Sequence, residues 1–206
     1  MIQSTIKNII FDLGGIFLNI DYALTEKAFI QLGVTNFADL YTQHTASTLF
    51  EDLEVGKISS ERFCNTLRSS TNIQLTNEQI YTAWNAMLLD LPMERLMWLE
   101  QIKNKYNIYL YSNTNAIHYE AFCKIVAGVI GKKSFNDYFI KAYYSHIFGL
   151  RKPYAASYTA VLKEQNLIAS ETLFIDDTIK NIEGAIEAGL QTIHLIAPQQ
   201  ITDIDL

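Results

Sequence analysis

Ile9-Ile10-Phe11-Asp12-Leu13-Gly14-Gly15 is the stretch from which the chain is read. Three apolar residues run into a carboxylate and then a glycine pair, the pattern of a buried strand entering a turn too tight for side chains. In an open α/β sheet, ligands bind beyond the carboxyl ends of the strands, so the turn would deliver Asp12 to such a place. By itself the stretch suits any buried strand that ends in an Asp-x-Gly turn. Its weight comes from three later polar clusters, Ser112-Asn113, Lys152 and Asp176-Asp177, each after a strand or on a loop before a helix.

Outward from that strand, the spacing predicts strands over 6–11, 107–111, 139–144, 172–175 and 192–196, with helices over 93–105, 116–127, 154–165 and 178–188. Strands alternating with helices imply parallel pairing through right-handed crossovers. Residues 16–18 read as a brief hairpin or flap. Four helices are predicted over 19–90 with no strand among them: from Tyr22 to about Gly33, over 36–50, from Ser59 or Ser60, and from Thr76. The last opens on Thr76-Asn77-Glu78-Gln79, a capping-box spacing, whereas 51–57 reads as a charged loop. The expected architecture is a doubly wound, Rossmann-like parallel sheet, residues 1–18 and 91–206, carrying a helical-bundle cap over 19–90.

Bulk properties narrow the function. The chain has 206 residues, is 49% hydrophobic and carries a formal net charge of -6, so it can bury a core. With Lys132-Lys133 and Arg151-Lys152 as its basic doublets, it lacks a nucleic-acid footprint. No apolar run approaches the ~18 residues of a membrane span, and the first strand leaves no room for a signal peptide. Cys64 and Cys123 read as two buried small hydrophobes. The expectation is a reducing, cytoplasmic setting, no nucleic-acid or membrane partner, and a monomer or weak homodimer.

Taken together in their order, Phe-Asp-Leu-Gly-Gly, Ser112-Asn113-Thr114-Asn115, Gly149-Leu150-Arg151-Lys152-Pro153 and Asp176-Asp177 followed by Asn181-Ile182-Glu183-Gly184-Ala185 resemble the motifs of the haloacid dehalogenase-like hydrolases. The likeness covers essentially the whole chain and is to the branch with a helical cap, which contains bacterial sugar-phosphate phosphatases. It implies hydrolysis of a small phosphorylated metabolite, such as a sugar phosphate. Asp12 would be the nucleophile, forming an aspartyl-phosphate that water hydrolyses. Three carboxylates and one lysine sum to -2, so a phosphate dianion needs a cation, and Mg2+ suits an all-oxygen site. The resemblance makes its ligands Asp12, the Gly14 carbonyl and Asp177, with Asp176 acting through water. Lys152 would offset charge, and Ser112 and the Asn113 amide would hold the equatorial phosphate oxygens.

One position departs from the pattern. Most of the family carries a second aspartate two residues after the nucleophile, and here that residue is Gly14. General acid–base catalysis is worth ~10²–10⁴-fold, so its loss slows but need not abolish hydrolysis. Gly14 keeps open a non-catalytic protein that senses a phosphorylated ligand. A phosphomutase and a haloacid dehalogenase also remain, although a dehalogenase would have no use for paired carboxylates at 176 and 177. Gly184 and Ala185 read as close-packing positions. His44, His118, His146 and His194 share no metal spacing, and Trp84 and Trp98 sit at core spacing. Tyr22, His44, Glu54 and Trp84 are the cap residues open to face a substrate, with 54–59 resembling the branch's polar cap loop.

Overall fold

Ile9, Ile10 and Phe11 form strand β1 (Asn8–Phe11), buried throughout, at the centre of a parallel sheet. The computed structural model describes residues 5–42, 45–71 and 73–206. Between β1 and the next strand of this sheet come α1 (Tyr22–Gln31), α2 (Phe37–Leu40), β2 (Tyr41–Thr42), β3 (Thr45–Ala46), α3 (Thr48–Glu54), α4 (Ser60–Thr71) and α5 (Asn77–Asn85). Then follow α6 (Met93–Ile102), β4 (Asn107–Ser112), α7 (Ala116–Ile130), β5 (Lys141–Tyr144), α8 (Ser145–Phe148), α9 (Ala155–Glu164), β6 (Thr172–Asp176), α10 (Ile179–Glu187) and β7 (Gln191–His194). The sheet order is β5-β4-β1-β6-β7 with every pairing parallel. The chain builds one side of β1 and then crosses to the other, so the gap beyond β1 and β6 is the topological switch point.

A period of two divides the strand side chains between two layers. Phe11, Leu110 and Ile175 face α6 and α7 through Leu96, Leu99 and Phe122. Ile10, Tyr111 and Phe174 face α9 and α10 through Tyr158, Val161 and Ile182. The elements between β1 and β4 have their own apolar centre of Phe29, Phe37, Phe50, Phe63, Leu67 and Trp84. Each of these aromatics is fully buried or nearly so, a gain of ~1.5–3 kcal/mol per large apolar side chain. Phe29 and Phe37 stack at 4.3 Å. Thr76 and Gln79 close the expected capping box at the start of α5. The two chain crossings into this unit lie side by side: Asn19 N–H donates to the Asp90 carbonyl at 2.9 Å, and Asp21 N–H to that of Met87 at 3.0 Å.

Several expectations are corrected. Residues 16–18 are a buried turn and no flap: Phe17 and Leu18 N–H both donate to the Leu13 carbonyl, and Phe17 packs edge-on to Phe11 at 5.3 Å. The helix expected over 36–50 is broken into α2, the β2–β3 hairpin and α3, and α3 runs into the supposed charged loop as far as Glu54. The apolar spacing there is helical, but in the hairpin Tyr41 packs edge-on to Trp84 at 4.6 Å, a partner far away in sequence. The expected strand over 139–144 shortens to β5, and α8 was not foreseen. Cys64 is buried as expected, whereas Cys123 is exposed, and both are free thiols. No helix among the described residues is long and apolar enough to cross a membrane.

Candidate active site

Parallel registration brings three of the polar clusters level. Phe11 lies opposite both Leu110 and Ile175, so Asp12 emerges beside the ends of β4 and β6, with its N–H on the Ile175 carbonyl at 2.9 Å. Lys152 arrives from the loop after α8. The Asn113 side chain clamps that loop: its Oδ1 accepts from Lys152 N–H and its Nδ2 donates to the Lys152 carbonyl, both at 2.9 Å. Asn113 therefore offers a ligand its main-chain N–H, since its side-chain amide is spent. On the other side, a Cβ at Gly184 would lie 1.7 Å from the Pro153 carbonyl oxygen. The absence of a side chain on α10 is what lets the lysine loop sit so close, the packing role expected of that glycine.

The Lys152 ammonium is buried, 2.8 Å from Asp12 Oδ1 and 2.6 Å from Asp176 Oδ2. Burial opposes its charge, but Asp12 and Asp176 more than offset this and raise its proton affinity above the ordinary lysine value. Asp176 is fully buried and already saturated. It takes Thr178 N–H on Oδ1 at 2.8 Å, and the Asn181 amide on Oδ1 at 3.0 Å and Oδ2 at 3.1 Å, in addition to the lysine. Its principal service is to hold Lys152. Burial, then the negative field of Asp176, pushes the Asp12 carboxyl up to about 8 despite the lysine. The same two causes, in the same order, push Asp177 up to about 6. One oxygen each from Asp12, Asp176 and Asp177 fits within a mutual 4.8 Å. Such a crowd of oxygen donors, with an excess of negative charge over one lysine, fits a hard divalent cation.

The two glycines after Asp12 serve different ends. Gly15 has φ +71, and a Cβ there would come 2.3 Å from Asp177 Oδ2, so both backbone and site forbid a side chain. Gly14 lacks the positive φ; a Cβ there would come 2.5 Å from the Ile20 Cδ1 methyl. The space where the family's second carboxylate would start is occupied by an apolar side chain.

Above the strand ends is a cavity of about 270 Å³. Asp12, Gly14, Ser112, Asn113, Lys152 and Asp177 all line it, while Asp176 stands behind. Of the cap residues singled out in the sequence, Tyr22 and Glu54 line the cavity. Trp84 lies in the apolar centre, stacked on His118 at 4.5 Å, and His44 falls outside the described residues. Two residues that sequence reasoning missed also contribute, Tyr41 and Arg151. Arg151 reaches across to Glu51 Oε1 and lies 2.9 Å from Glu54 Oε2. Tyr41 donates to Glu54 Oε1 at 3.4 Å. Burial raises the proton affinity of Glu54, against the pull of Arg151 and the Tyr41 hydrogen bond. The signal for Arg151 was its place beside Lys152, but its partners are about a hundred residues away in sequence. His118 is a satisfied core histidine, its Nε2 donating to the Trp84 carbonyl at 3.0 Å, and His194 Nε2 donates to the Asp177 carbonyl at 3.0 Å.

The family profile described as haloacid dehalogenase-like hydrolase matches residues 6–189. A D-ribitol-5-phosphate phosphatase of Bacteroides thetaiotaomicron is 33% identical over 189 residues, 92% of this chain and 91% of that protein. A sesquiterpene phosphatase of Aspergillus oryzae is 26% identical, over 93% of this chain and 91% of its own length. Among solved structures, a family enzyme of B. thetaiotaomicron in complex with magnesium and inorganic phosphate superposes with TM-score 0.86 at 31% identity, covering 96% of this chain and 98% of the other. An L-2-haloacid dehalogenase of Xanthobacter autotrophicus, at 16% identity and TM-score 0.58 over 91% of this chain and 76% of its own, shares the fold alone.

Proposed function

The chain belongs to the haloacid dehalogenase-like hydrolases, and on that premise we propose that it is a Mg2+-dependent phosphatase of a small sugar or sugar-alcohol phosphate. The observation that carries this is the convergence of Asp12, Ser112, the Asn113 main chain, Lys152 and Asp177 on one cavity at the switch point of the sheet. The nearby relatives support both halves of the reading, one being named for a polyol phosphate and one solved with magnesium and phosphate. Tyr22, Tyr41, Glu51, Glu54 and Arg151 give the outer cavity the polar groups that a hydroxylated leaving group requires. A reducing, cytoplasmic setting is part of the proposal, in keeping with two free thiols.

Asp12, the Gly14 carbonyl and Asp177 would hold Mg2+, with Asp176 behind them through water. When bound, the ion supplies charge neutralisation and Lewis-acid polarisation of the phosphoryl group. Lys152 orients Asp12 through its 2.8 Å contact and favours its charged form against burial and Asp176, and Asp176 holds Lys152 in turn. Asp12 attacks phosphorus to give an aspartyl-phosphate, while Ser112 and the Asn113 N–H steady the equatorial oxygens, where charge is carried. We take residues 1–18 and 91–206 as the catalytic core and 19–90 as a cap. The paired crossings at 19–21 and 87–90 would be its hinge, and closure would exclude water.

The test is phosphate release from a panel of sugar and polyol phosphates that includes D-ribitol 5-phosphate, with Mg2+ and with EDTA. Asp12→Asn serves as the blank because it changes charge and barely changes volume. Release that needs Mg2+ and is absent from the blank is the expected result. Undiminished release by Asp12→Asn would remove the nucleophile, and binding of Mg2+ and phosphate without turnover would make the protein a sensor.

A further inference from the structure

The leaving-group side of this site lacks the usual donor. Gly14 has no side chain, and Ile20 Cδ1 fills the space beside it. The donors at the strand ends, Ser112, the Asn113 N–H and Lys152, belong to the phosphate and to Asp12 in the reading above, on which this inference rests. The bridging ester oxygen points away from Asp12, because attack is in line, and so points towards the cap.

The cap contributes two phenols to the cavity, Tyr22 and Tyr41. Tyr41 is engaged with Glu54, whereas the Tyr22 hydroxyl has no hydrogen-bond partner among the described residues. Glu51 and Glu54 are acceptors held by Arg151, and His118 is committed to the Trp84 carbonyl. Tyr22 is also well placed. Asp21 has extended dihedrals, φ -134 and ψ 100, so residues 20 and 22 flank it on the same side of the chain. The side chain of Ile20 is the one that abuts Gly14. Tyr22 lines the same cavity as Asp12 and Asp177. We infer that Tyr22 is a further catalytic residue, its hydroxyl donating a hydrogen bond to the bridging oxygen of the bound ester in place of the carboxylate absent at position 14.

The step balances. An Asp12 oxygen–phosphorus bond forms as the bond from phosphorus to the bridging oxygen breaks. The electron pair stays on that oxygen, the Tyr22 hydrogen bond offsets the growing charge, and water supplies the proton that completes the alcohol. Removing one such donor costs ~10²–10³-fold where charge develops fully.

The experiment is Tyr22→Phe, which keeps the ring, measured as kcat/KM on D-ribitol 5-phosphate, phenyl phosphate and 4-nitrophenyl phosphate, with the thermal midpoint as a check on packing. A sugar-alcohol leaving group needs the donor; 4-nitrophenolate scarcely does. The expected result is a loss of ~10²-fold on D-ribitol 5-phosphate, an intermediate loss on phenyl phosphate and less than ~3-fold on 4-nitrophenyl phosphate. Equal losses on all three esters would make Tyr22 a structural or phosphate-holding residue and overturn the inference, as would no loss on any. If the wild type and Asp12→Asn are alike on all three, the phosphatase reading falls first and this inference with it.

Discussion

Gly184→Ala isolates the packing that seats Lys152. Helix propensity alone predicts a gain of ~1 kcal/mol, since alanine is the better helix former, and Gly184 lies inside α10. The structure predicts the reverse. The new Cβ would lie 1.7 Å from the Pro153 carbonyl oxygen, 2.7 Å from its carbon and 3.2 Å from Tyr158 Cε2. The first two are backbone atoms that no rotamer change can move. Ordinary contact begins near 3.4 Å, so helix and loop must separate by about 1.7 Å, the difference between those two distances. Lys152, next to Pro153, contacts Asp12 and Asp176 at 2.8 and 2.6 Å. A shift of that size lengthens both contacts beyond hydrogen-bond range. Overpacking costs ~1–3 kcal/mol, and this contact belongs at the upper end, so the net loss after the propensity gain is ~1–2 kcal/mol. Misplacing the lysine should lower kcat/KM by ~10²-fold. Urea unfolding and phosphate release measure the two effects. A variant as stable as wild type with unchanged kcat/KM would refute the reasoning and show that the loop has room to yield.

Two further outcomes are expected. Arg151→Met should destabilise the protein by ~3 kcal/mol, because it leaves Glu54, whose side chain is 6% exposed, without its cation. Glu54→Gln in the same background should recover at least half of that, and strict additivity in denaturant unfolding would show that the two residues are uncoupled. Burial pushes the His118 imidazole down to about 4, against ~6.5 when unfolded. Between those values the unfolded chain binds a proton that the native state refuses. The contribution of neutral His118 is therefore complete above pH ~6.5 and is lost as pH falls towards about 4, amounting to ~3 kcal/mol. His118→Gln should flatten the stability profile in that window, and an unchanged slope would mean that the imidazole titrates as if exposed.

The order of elements and most of the residues of the proposed phosphate end were legible in the chain because their signals are local. An apolar run meeting Asp12 and two glycines, Ser112-Asn113 after a second run and Asp176-Asp177 after a third each fix a strand end within a few residues. Sheet order then brings those ends together without further information. The capping box at Thr76 and Gln79 is local in the same sense. The helix expected over 36–50 failed because its apolar spacing was real but its partners were not in view: Tyr41 is set by Trp84 and Phe50.

By itself, then, the sequence determined the family, the alternating core and the choice of Asp12, Lys152, Asp176 and Asp177 as the proposed site, residues that the fold brings together; all of this depends on residue type at short spacing. Only the tertiary structure decided what surrounds them. It showed that Asn113 spends its side chain on the lysine loop, that Ile20 fills the space beside Gly14, and that Arg151 reaches Glu51 and Glu54. It also turned Tyr22, one candidate among four in the cap, into a wall of the cavity that Asp12 and Asp177 line. The physical reason is one of range. Steric and hydrogen-bonding preferences of neighbouring residues are written in the local chain, whereas a charge reaching across from the sheet to the cap is fixed by how two separately packed cores meet.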